Sequence, residues 1–444
     1  MTQTRTTTDR YVSEFEAFER SPGGQAPDWL RDLRRQAIER FQQVGLPTAR
    51  MGNEPWKYTN IAPIANTPFA FAPAVTVTRS EIPAQVPHDD RWRTLVFVNG
   101  RYSAKLSTPV AGVSSSIHEV VQSNGSVLHQ RLASSVAEDD GFISLNTAFL
   151  RDGAFVETEA ESVVDAPLHI VHLAASGGER VVCYPRTLIV ARPNSKLSVI
   201  ETYATVGDGV TFSDAVTEIV LEDGAQIDHY RLLLDNHQSF HIGKTRIHQG
   251  RDSSLRSLTF EAGAALGRSD VEVRLDEPGA ECSLNGLYVT SGSQHIDNYI
   301  NIDHAAPHAR SRLYYKGILD DSSRAAFGGR VLVREGAVKT NSHQEDKNLL
   351  LSDEAEADSK PSLEIYADDV ICGHGATAGA ITDDALFYMQ SRGLDEDAAR
   401  VLLVTGFANE ILDRVAIDSL RTHLGKLTLA ALPRFQEQRI NDDE

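Results

Sequence analysis

The chain has 444 residues and a formal net charge of −19, with 43 Lys and Arg against 62 Asp and Glu. Its length suits two or three domains, or one long repetitive core with appended regions. Its charge argues against nucleic acid or an anionic membrane as the main partner, because both attract clustered basic residues. No apolar run approaches the roughly 18 residues of a membrane-spanning helix, and three widely separated cysteines imply no disulfide framework. Together these features predict a protein of the reducing cytoplasm.

The first 152 residues predict a mixed, partly helical region. Residues 1 to 25 are polar and end in SPGG, which predicts a partly frayed segment. From Asp28 to Gly45, apolar residues recur every three or four positions, as on one face of a helix. The aromatic group after it, with Trp56 and Tyr58, predicts a small packed core that ties this helix down. The other elements predicted here are a Pro- and Ala-rich linker at 66–90, a strand at Thr94–Asn99, a turn at Asn99–Gly100 and a helix around Gly141–Leu150.

Between residues 153 and 380 the chain changes to short runs rich in Val, Ile and Leu, separated by turn dipeptides. These dipeptides begin at Asn194, Asp223, Asp252, Pro278 and His308, so that by subtraction the intervals are 29, 29, 26 and 30 residues. Such a period is typical of a solenoid, in which each rung buries its apolar face on the next. An antiparallel sandwich with hairpins every 8 to 12 residues is the competing interpretation. The long period favours the solenoid.

The strand-like runs that follow these turns are Lys196–Tyr203, Ala225–Leu234, Leu255–Phe260, Ala280–Val289 and Arg310–Leu319. Residues 381–444 return to a helical pattern, whose main apolar stripe is Ala399, Leu402, Leu403, Phe407, Ile411 and Val415. A helical tail of this kind would cap the open end of a solenoid and protect its last strand from pairing with another edge. An exposed part of the stripe would instead dock a partner.

Cys372 and His374 form the most specific local pattern, one residue apart between a strand-like run and a helix start. On a strand, the period of two places both side chains on one face. Thiolate and imidazole both bind iron, but two ligands are too few for a self-contained cluster. The pair therefore predicts that the fold brings further ligands near or that a second chain completes the site. The plain alternative is a buried thiol beside a hydrogen-bonded imidazole.

A second candidate metal set consists of His295, Asp297 and His304, for which ordinary hydrogen-bonded side chains are the alternative. Cys183 and Cys282 are predicted to be buried structural thiols. The sequence has no G-x-x-x-x-G-K-[ST], G-x-S-x-G, H-E-x-x-H or C-x-x-C pattern, so neither ATP hydrolysis nor common hydrolase chemistry is expected. A polysaccharide lyase built on a β-helix stays an alternative.

Several stretches resemble the SufB/SufD family of the SUF system for iron–sulfur cluster assembly. They are EPWKYT at Glu54–Thr59, NLLLS at Asn348–Ser352, the group Pro361, Leu363 and Glu364, ADDV at Ala367–Val370, CGHGATAG at Cys372–Gly379 and LFYMQSRG at Leu386–Gly393. The Cys-x-His-Gly-Ala-Thr form resembles the SufD branch, whereas the SufB branch has Glu-His-Glu-Ala-Thr there. Two positions depart from the family pattern: Asp346, where Asn is usual, and Gly373, where Ser is common. Neither departure removes a candidate functional group.

The resemblance implies a right-handed parallel β-helix at 153–380, between an N-terminal helical or mixed region at 1–152 and a C-terminal helical domain at 381–444. It implies a non-catalytic scaffold subunit, not an enzyme, that pairs with a SufB-like scaffold and binds a SufC-like ABC ATPase. No cofactor would be stably bound by the chain alone, and a transient iron–sulfur cluster would be shared with the partner. A homodimer of the isolated chain is left open.

Carried onto this sequence, the resemblance makes His374 the first candidate for handling metal or sulfur at the partner interface, with Cys372 in support. The imidazole would ligate iron, or act as a base that lowers the pKa of a partner thiol. The tail is where the resemblance implies docking of the ATPase. The candidate residues are Phe387, Tyr388, Arg392 and Phe407, with internal helix packing as the alternative for each.

Overall fold

The structure is a computed structural model that describes residues 2–21, 24–49, 53–136 and 140–432. The helices in these ranges are α1 Thr2–Arg20, α2 Asp28–Val44, α3 Ala62–Ala65, α4 Ile117–Val136, α5 Gly141–Ala148, α6 Asp383–Ser391, α7 Glu396–Leu412 and α8 Asp418–Ala430. The strands before the main repeat are β1 Ala70–Phe71, β2 Arg93–Val98, β3 Arg101–Tyr102, β4 Ser114–Ser116, β5 Ala154–Glu157, β6 Leu168–Ala175, β7 Val181–Cys183 and β8 Arg186–Ala191.

Thirteen longer strands follow: β9 Lys196–Val206, β10 Thr211–Leu221, β11 Gln226–Leu234, β12 Phe240–Gln249, β13 Ser254–Glu261, β14 Leu266–Leu275, β15 Glu281–Thr290, β16 His295–His304, β17 Arg310–Leu319, β18 Arg324–Val333, β19 Asn341–Leu350, β20 Glu356–Ile365 and β21 Ile371–Ala380. They alternate between two sheets. Sheet A runs in the order β20-β18-β16-β14-β12-β10-β8-β5-β4, and sheet B in the order β21-β19-β17-β15-β13-β11-β9-β6-β2-β3. Neighbours from β6 to β21 pair in parallel, so the core is a β-solenoid of about eight turns, and the antiparallel sandwich is wrong.

The solenoid repeat is visible in the register of sheet B. Lys196 pairs with Gln226, and the same row continues through Ser254, Glu281, Arg310, Asn341 and Ile371. By subtraction the rungs are 30, 28, 27, 29, 31 and 30 residues long, close to the intervals predicted from the turns. The five predicted strand-like runs all belong to this sheet, as β9, β11, β13, β15 and β17. The strands of sheet A fill the second half of each interval, which the turn pattern alone did not resolve.

The N-terminal region packs on the outer face of sheet A, and two of its segments differ from expectation. Residues predicted to be frayed form α1, because Tyr11, Phe15 and Phe18 fall on one helical face and are buried there. The predicted linker also lies on the protein, anchored by Phe69 and Val77, which are 1% and 7% exposed. The expected aromatic core is present: Trp56 is buried, 5.7 Å from the ring of Phe142 in α5.

The C-terminal helices lie along the side of the solenoid. α7 packs on β15 and β17, on the outer face of sheet B, through a buried stripe that includes Val404, Ala408 and Ile411. Leu402, predicted for this stripe, is 50% exposed, since it lies on the other side of the helix. α7 and α8 thus run beside the rungs, not across the last one as an end cap would. Among the described residues, no helix is both long and apolar enough to cross a bilayer.

Candidate functional site

Cys372 and His374 lie on β21, the last strand of sheet B. In the register, Cys372 is opposite Ser342 and His374 is opposite Gln344 of β19. Both β19 residues are 1% exposed and face the interior of the solenoid. Because parallel neighbours in register share a face, Cys372 and His374 both belong to the inward-facing row, with Cα atoms about 6.6 Å apart.

This row is open because β20 and β21 have no strand beyond them in the described part of the chain. Cys372 is half-buried against the core, and His374 is exposed and forms no hydrogen bond with any described residue. The inward positions after His374 carry only methyl groups, from Ala376, Ala378 and Ala380. The solenoid therefore ends in a shallow hollow, here called the open end, whose rim consists of two unpaired strand edges. Unpaired edges of this kind are templates for pairing with another chain.

The floor of the open end is a hydrogen-bonded group made by Asp346 and Asn348 of β19, Ser359 of β20 and Tyr288 of β15. Asn348 Nδ2 donates to Asp346 Oδ2 at 2.8 Å, and Ser359 Oγ donates to the same oxygen. The Tyr288 hydroxyl lies 2.6 Å from Asn348 Oδ1 and 3.2 Å from Asp346 Oδ1. Tyr288 has one hydroxyl hydrogen for these two acceptors. All four contacts are satisfied together when Asp346 carries a proton and donates it to Tyr288.

Burial controls the protonation of this site. It raises the pKa of the Asp346 carboxyl to about 6, in agreement with the hydrogen-bond count. It also raises the pKa of the Cys372 thiol, and a backbone hydrogen bond with Ser342 offsets the shift only in part. The thiol must therefore lose a proton before it can bind iron. The exposed imidazole of His374 lies on the same face of the strand. Gln344 Oε1, under His374, is buried and accepts no hydrogen bond among the described residues.

The open end supplies too few ligands for a cluster of its own. Within the ranges that the structure describes, no three His, Cys, Asp or Glu side chains are grouped closely enough to hold a metal ion. Cys372 and His374 can contribute at most two of the ligands that an iron–sulfur cluster needs. The remaining ligands have to come from outside these residues.

The second metal candidates are not brought together. His295 and Asp297 lie on the outward row of β16, where Thr59 and Arg268 hydrogen-bond the Asp297 carboxylate. His304 lies on the inward row at the far end of the same strand, with Nε2 2.9 Å from Ser311 Oγ. Nine residues of strand, about 30 Å, separate His295 from His304. The other two cysteines, Cys183 and Cys282, are buried, and burial raises both thiol pKa values to about 12.

The candidates for ATPase docking divide into two groups. Phe387 and Tyr388 on α6 are 72% and 56% exposed, and the guanidinium of Arg392 lies 5.2 Å from the Tyr388 ring centroid. Phe407 instead packs inward from α7, with Lys316 Nζ 3.9 Å from its ring centroid. An exposed aromatic pair beside a cation is typical of a protein-binding surface, whereas Phe407 has a structural partner.

Sequence reasoning missed the floor of the open end. In the sequence Asp346 stands out only as a departure from a family pattern, and Tyr288 and Ser359 are 58 and 13 residues away from it. The signal that was available is the run of polar residues at the inward positions 342, 344, 346 and 348 of β19, which a strand facing an apolar core would not carry.

Two family models cover most of the chain. The model described as "SufBD protein N-terminal region" matches residues 5–170, and "SUF system FeS cluster assembly, SufBD core domain" matches residues 172–407. The chain belongs to the SufBD family. The SufBD core match takes in the last strands of the solenoid and both residues of the open end, Cys372 and His374.

Full-length relatives agree with the family assignment. An iron–sulfur cluster assembly SufBD family protein of Synechocystis is 31% identical over 407 residues, or 89% of each chain. The iron–sulfur cluster assembly protein SufD of Escherichia coli is 28% identical over 414 residues, or 93% of each chain. SufD of Bacillus subtilis is 24% identical over 90% of this chain and 93% of its own length. The chain is thus a SufD-like member of the SufBD family, in the SUF system for iron–sulfur cluster assembly.

Proposed function

We propose that this chain is a non-catalytic scaffold subunit that builds iron–sulfur clusters jointly with a SufB-like partner. The observation that carries the proposal is the open end, where Cys372 and His374 lie beside two unpaired strand edges. A partner strand added to β21 would bring its own ligands to the hollow and cover the apolar rim, where Ile371 is 72% exposed. The cluster is cargo of this shared site, so the chain alone holds no cofactor. The cytoplasm is the proposed compartment, with no nucleic-acid or membrane partner.

In this proposal two chains share one cluster site because this chain alone offers too few iron ligands. The chain offers one thiol and one imidazole, and a cluster iron takes four ligands including the sulfides. In this proposal His374 either ligates iron or accepts the proton that a partner thiol must lose, while Cys372 supports it. The hydrogen-bonded Tyr288–Asp346–Asn348–Ser359 floor closes the interior side of the hollow in this proposal.

The decisive experiment replaces His374 in a strain that depends on this pathway. His374→Ala is expected to abolish maturation of iron–sulfur enzymes while leaving co-purification with the scaffold partner intact. The matched control is His343→Ala, because His343 is an exposed histidine on the outward face of the neighbouring strand, beside Gly373. Wild-type growth with His374→Ala, or equal defects with both variants, would contradict the proposal.

Pairing through the edge is tested separately. A photo-crosslinking amino acid at Thr377 on β21 is expected to capture the scaffold partner, whereas the same probe at Thr428, buried in α8, should capture none. Capture of a second copy of the chain, when it is purified alone, would show that the edge also forms a homodimer. Absence of any crosslink at Thr377 in the native complex would refute edge pairing.

We further propose that a SufC-like ATPase docks on α6 through Phe387, Tyr388 and Arg392. Their exposure supports this, whereas the packing of Phe407 against Lys316 argues for an internal role of that residue. The double variant Phe387→Ala, Tyr388→Ala is expected to lose the ATPase in co-purification without a change in thermal stability. Val163→Ala, at a 62% exposed residue elsewhere on the surface, is the control. Retention of the ATPase by the double variant would overturn this assignment.

A further inference from the structure

A cavity of about 400 Å³ lies at the other end of sheet B from the open end. It is enclosed by the segment 79–94, by residues 106–108 and by the outer faces of β2 and β6. Its apolar lining includes Ile82, Val86, Trp92, Val96, Leu106 and Val171. A cavity of this size that combines apolar walls with polar and charged side chains is typical of sites that bind small organic molecules.

One polar side chain in this cavity, His169, has a hydrogen-bond partner for only one of its two ring nitrogens. His169 is 2% exposed, and its Nε2 lies 2.8 Å from Thr202 Oγ1. Its Nδ1 has no hydrogen-bond partner among the described residues, and its ring meets Trp92 edge-on at 5.4 Å. Burial lowers the pKa of His169 to about 3, so the imidazole is neutral at physiological pH. A polar ligand atom in the cavity would give this nitrogen a hydrogen-bond partner.

The mouth of the cavity carries unneutralised positive charge. Arg79 and Arg93 line it, are exposed, and have no carboxylate partner in the described part of the chain. Of the two acidic residues beside them, Asp89 is paired with Arg91, and Asp90 is exposed next to His88. Asp89 accepts a hydrogen bond from Arg91 Nε at 2.9 Å, and Asp90 lies 3.1 Å from His88. A guanidinium without a partner is the preferred ligand for a carboxylate.

We propose that this cavity binds a small amphipathic carboxylate with an acyl or aryl body and a second polar group. The body packs against Trp92 and Val96, and the carboxylate pairs with Arg79 and Arg93 at the mouth. The second polar group hydrogen-bonds Nδ1 of His169 at depth. The site uses none of the residues of the open end, so it stands whether or not the proposed scaffold function does.

Calorimetry on the full chain tests the ligand class with three probes of equal length: decanoate, decan-1-ol and decyltrimethylammonium. Decanoate is expected to bind saturably with one site per chain, at least about tenfold tighter than the cation. The double variant Arg79→Gln, Arg93→Gln is expected to bind decanoate about as weakly as it binds decan-1-ol. Cation binding as tight as decanoate, or decanoate binding unchanged in the double variant, would overturn the assignment of a carboxylate.

The location is tested by filling the cavity from its rim. Ala84→Trp, at an exposed residue that lines the cavity, is expected to abolish decanoate binding, whereas Ala160→Trp, exposed elsewhere, should leave it intact. The His169 imidazole nitrogen resonances are expected to shift on titration with 10-hydroxydecanoate, and this acid should bind several-fold tighter than decanoate. No saturable binding, or equal binding in both Trp variants, would refute the site. Unmoved His169 resonances would refute its contact with the ligand.

Discussion

The interior rungs and the last rung of the solenoid carry the same side chains in different surroundings. Along one inward row of sheet B the register runs from Cys282 through Ser311 and Ser342 to Cys372. Cys282 is 4% exposed with rungs on both sides, whereas Cys372 has a rung on one side only. Cys282 and Cys372 thus have the same residue type and lie in the same row. The presence or absence of one further rung decides whether the thiol is structural or accessible.

The neighbouring row repeats the comparison with histidine. It contains His229 in an interior rung and His374 at the open end. His229 uses both ring nitrogens, with Nδ1 3.2 Å from Ser257 Oγ and Nε2 3.0 Å from Glu201. His374 forms no such bonds within the described chain, so its nitrogens are free for a partner. In this fold the position of a rung therefore decides whether its histidine or cysteine is available to bind a ligand.

The largest expected difference is in thiol reactivity. With iodoacetamide under native conditions, Cys372 should be alkylated about 10³-fold faster than Cys282, because Cys282 reacts only after the rungs open. Mass spectrometry of timed samples measures both rates in one experiment, and guanidinium-unfolded chain supplies the reference in which the two are equal. Similar native rates would show that the interior rungs are no more closed than the end.

The next difference is in packing energy. Leu284 lies in a closed rung and is 1% exposed, whereas Leu363 lies half-buried in the last rung. Leu284→Ala is expected to lower the free energy of unfolding by about 3 kcal/mol, and Leu363→Ala by less than about 1 kcal/mol. Denaturant unfolding measures both. If both variants lose the same free energy, the last rung is already covered in the isolated chain, for example by a second copy.

A third difference concerns pH, with His172 in a closed rung. Burial lowers the pKa of His172 to about 4, below the ordinary value near 6.5. Between these values the unfolded chain binds more protons, so this residue makes stability rise with pH from about 4 to 6.5 and then level off. His172→Gln is expected to reduce that rise in the free energy of unfolding by about 3 kcal/mol. Denaturant unfolding at several pH values between about 4 and 6.5 measures it. An unchanged slope would contradict the burial of a neutral imidazole.

Asp346, under the open end, should show the opposite sign and a slightly smaller effect. Its raised pKa of about 6 means that the folded chain holds the proton longer, so its contribution is full below about pH 4 and is lost as pH rises through 6. Asp346→Asn should remove this pH dependence of the free energy of unfolding, which amounts to about 3 kcal/mol. It should keep the hydrogen bonds, because the amide donates where the acid did. Asp346→Ala is the comparison and should be less stable than Asp346→Asn at every pH. Equal stability of the two variants would contradict the hydrogen-bond count at the floor.

The sequence predicted the repeat and the shared face of Cys372 and His374 because both follow from local spacing. Turn residues recur at the length of one rung, and a strand alternates its side chains whatever surrounds it. The same reasoning failed for α1, whose apolar face is short and needs the solenoid to cover it. It also failed for the floor under the open end, because Tyr288, Asp346 and Ser359 meet only when three rungs are stacked.

What the sequence determined by itself, then, is a solenoid of known period and a shared strand face for one thiol and one imidazole. The family resemblance added that its strands are parallel. Only the tertiary structure decided that their strand is the last one, with its edge unpaired. Only the tertiary structure decided that α7 lies along the side of the rungs, where Phe407 is partly buried, whereas Phe387 on α6 is exposed. The physical reason is that backbone preference and side-chain alternation act within a few residues, whereas exposure depends on which distant surfaces come together.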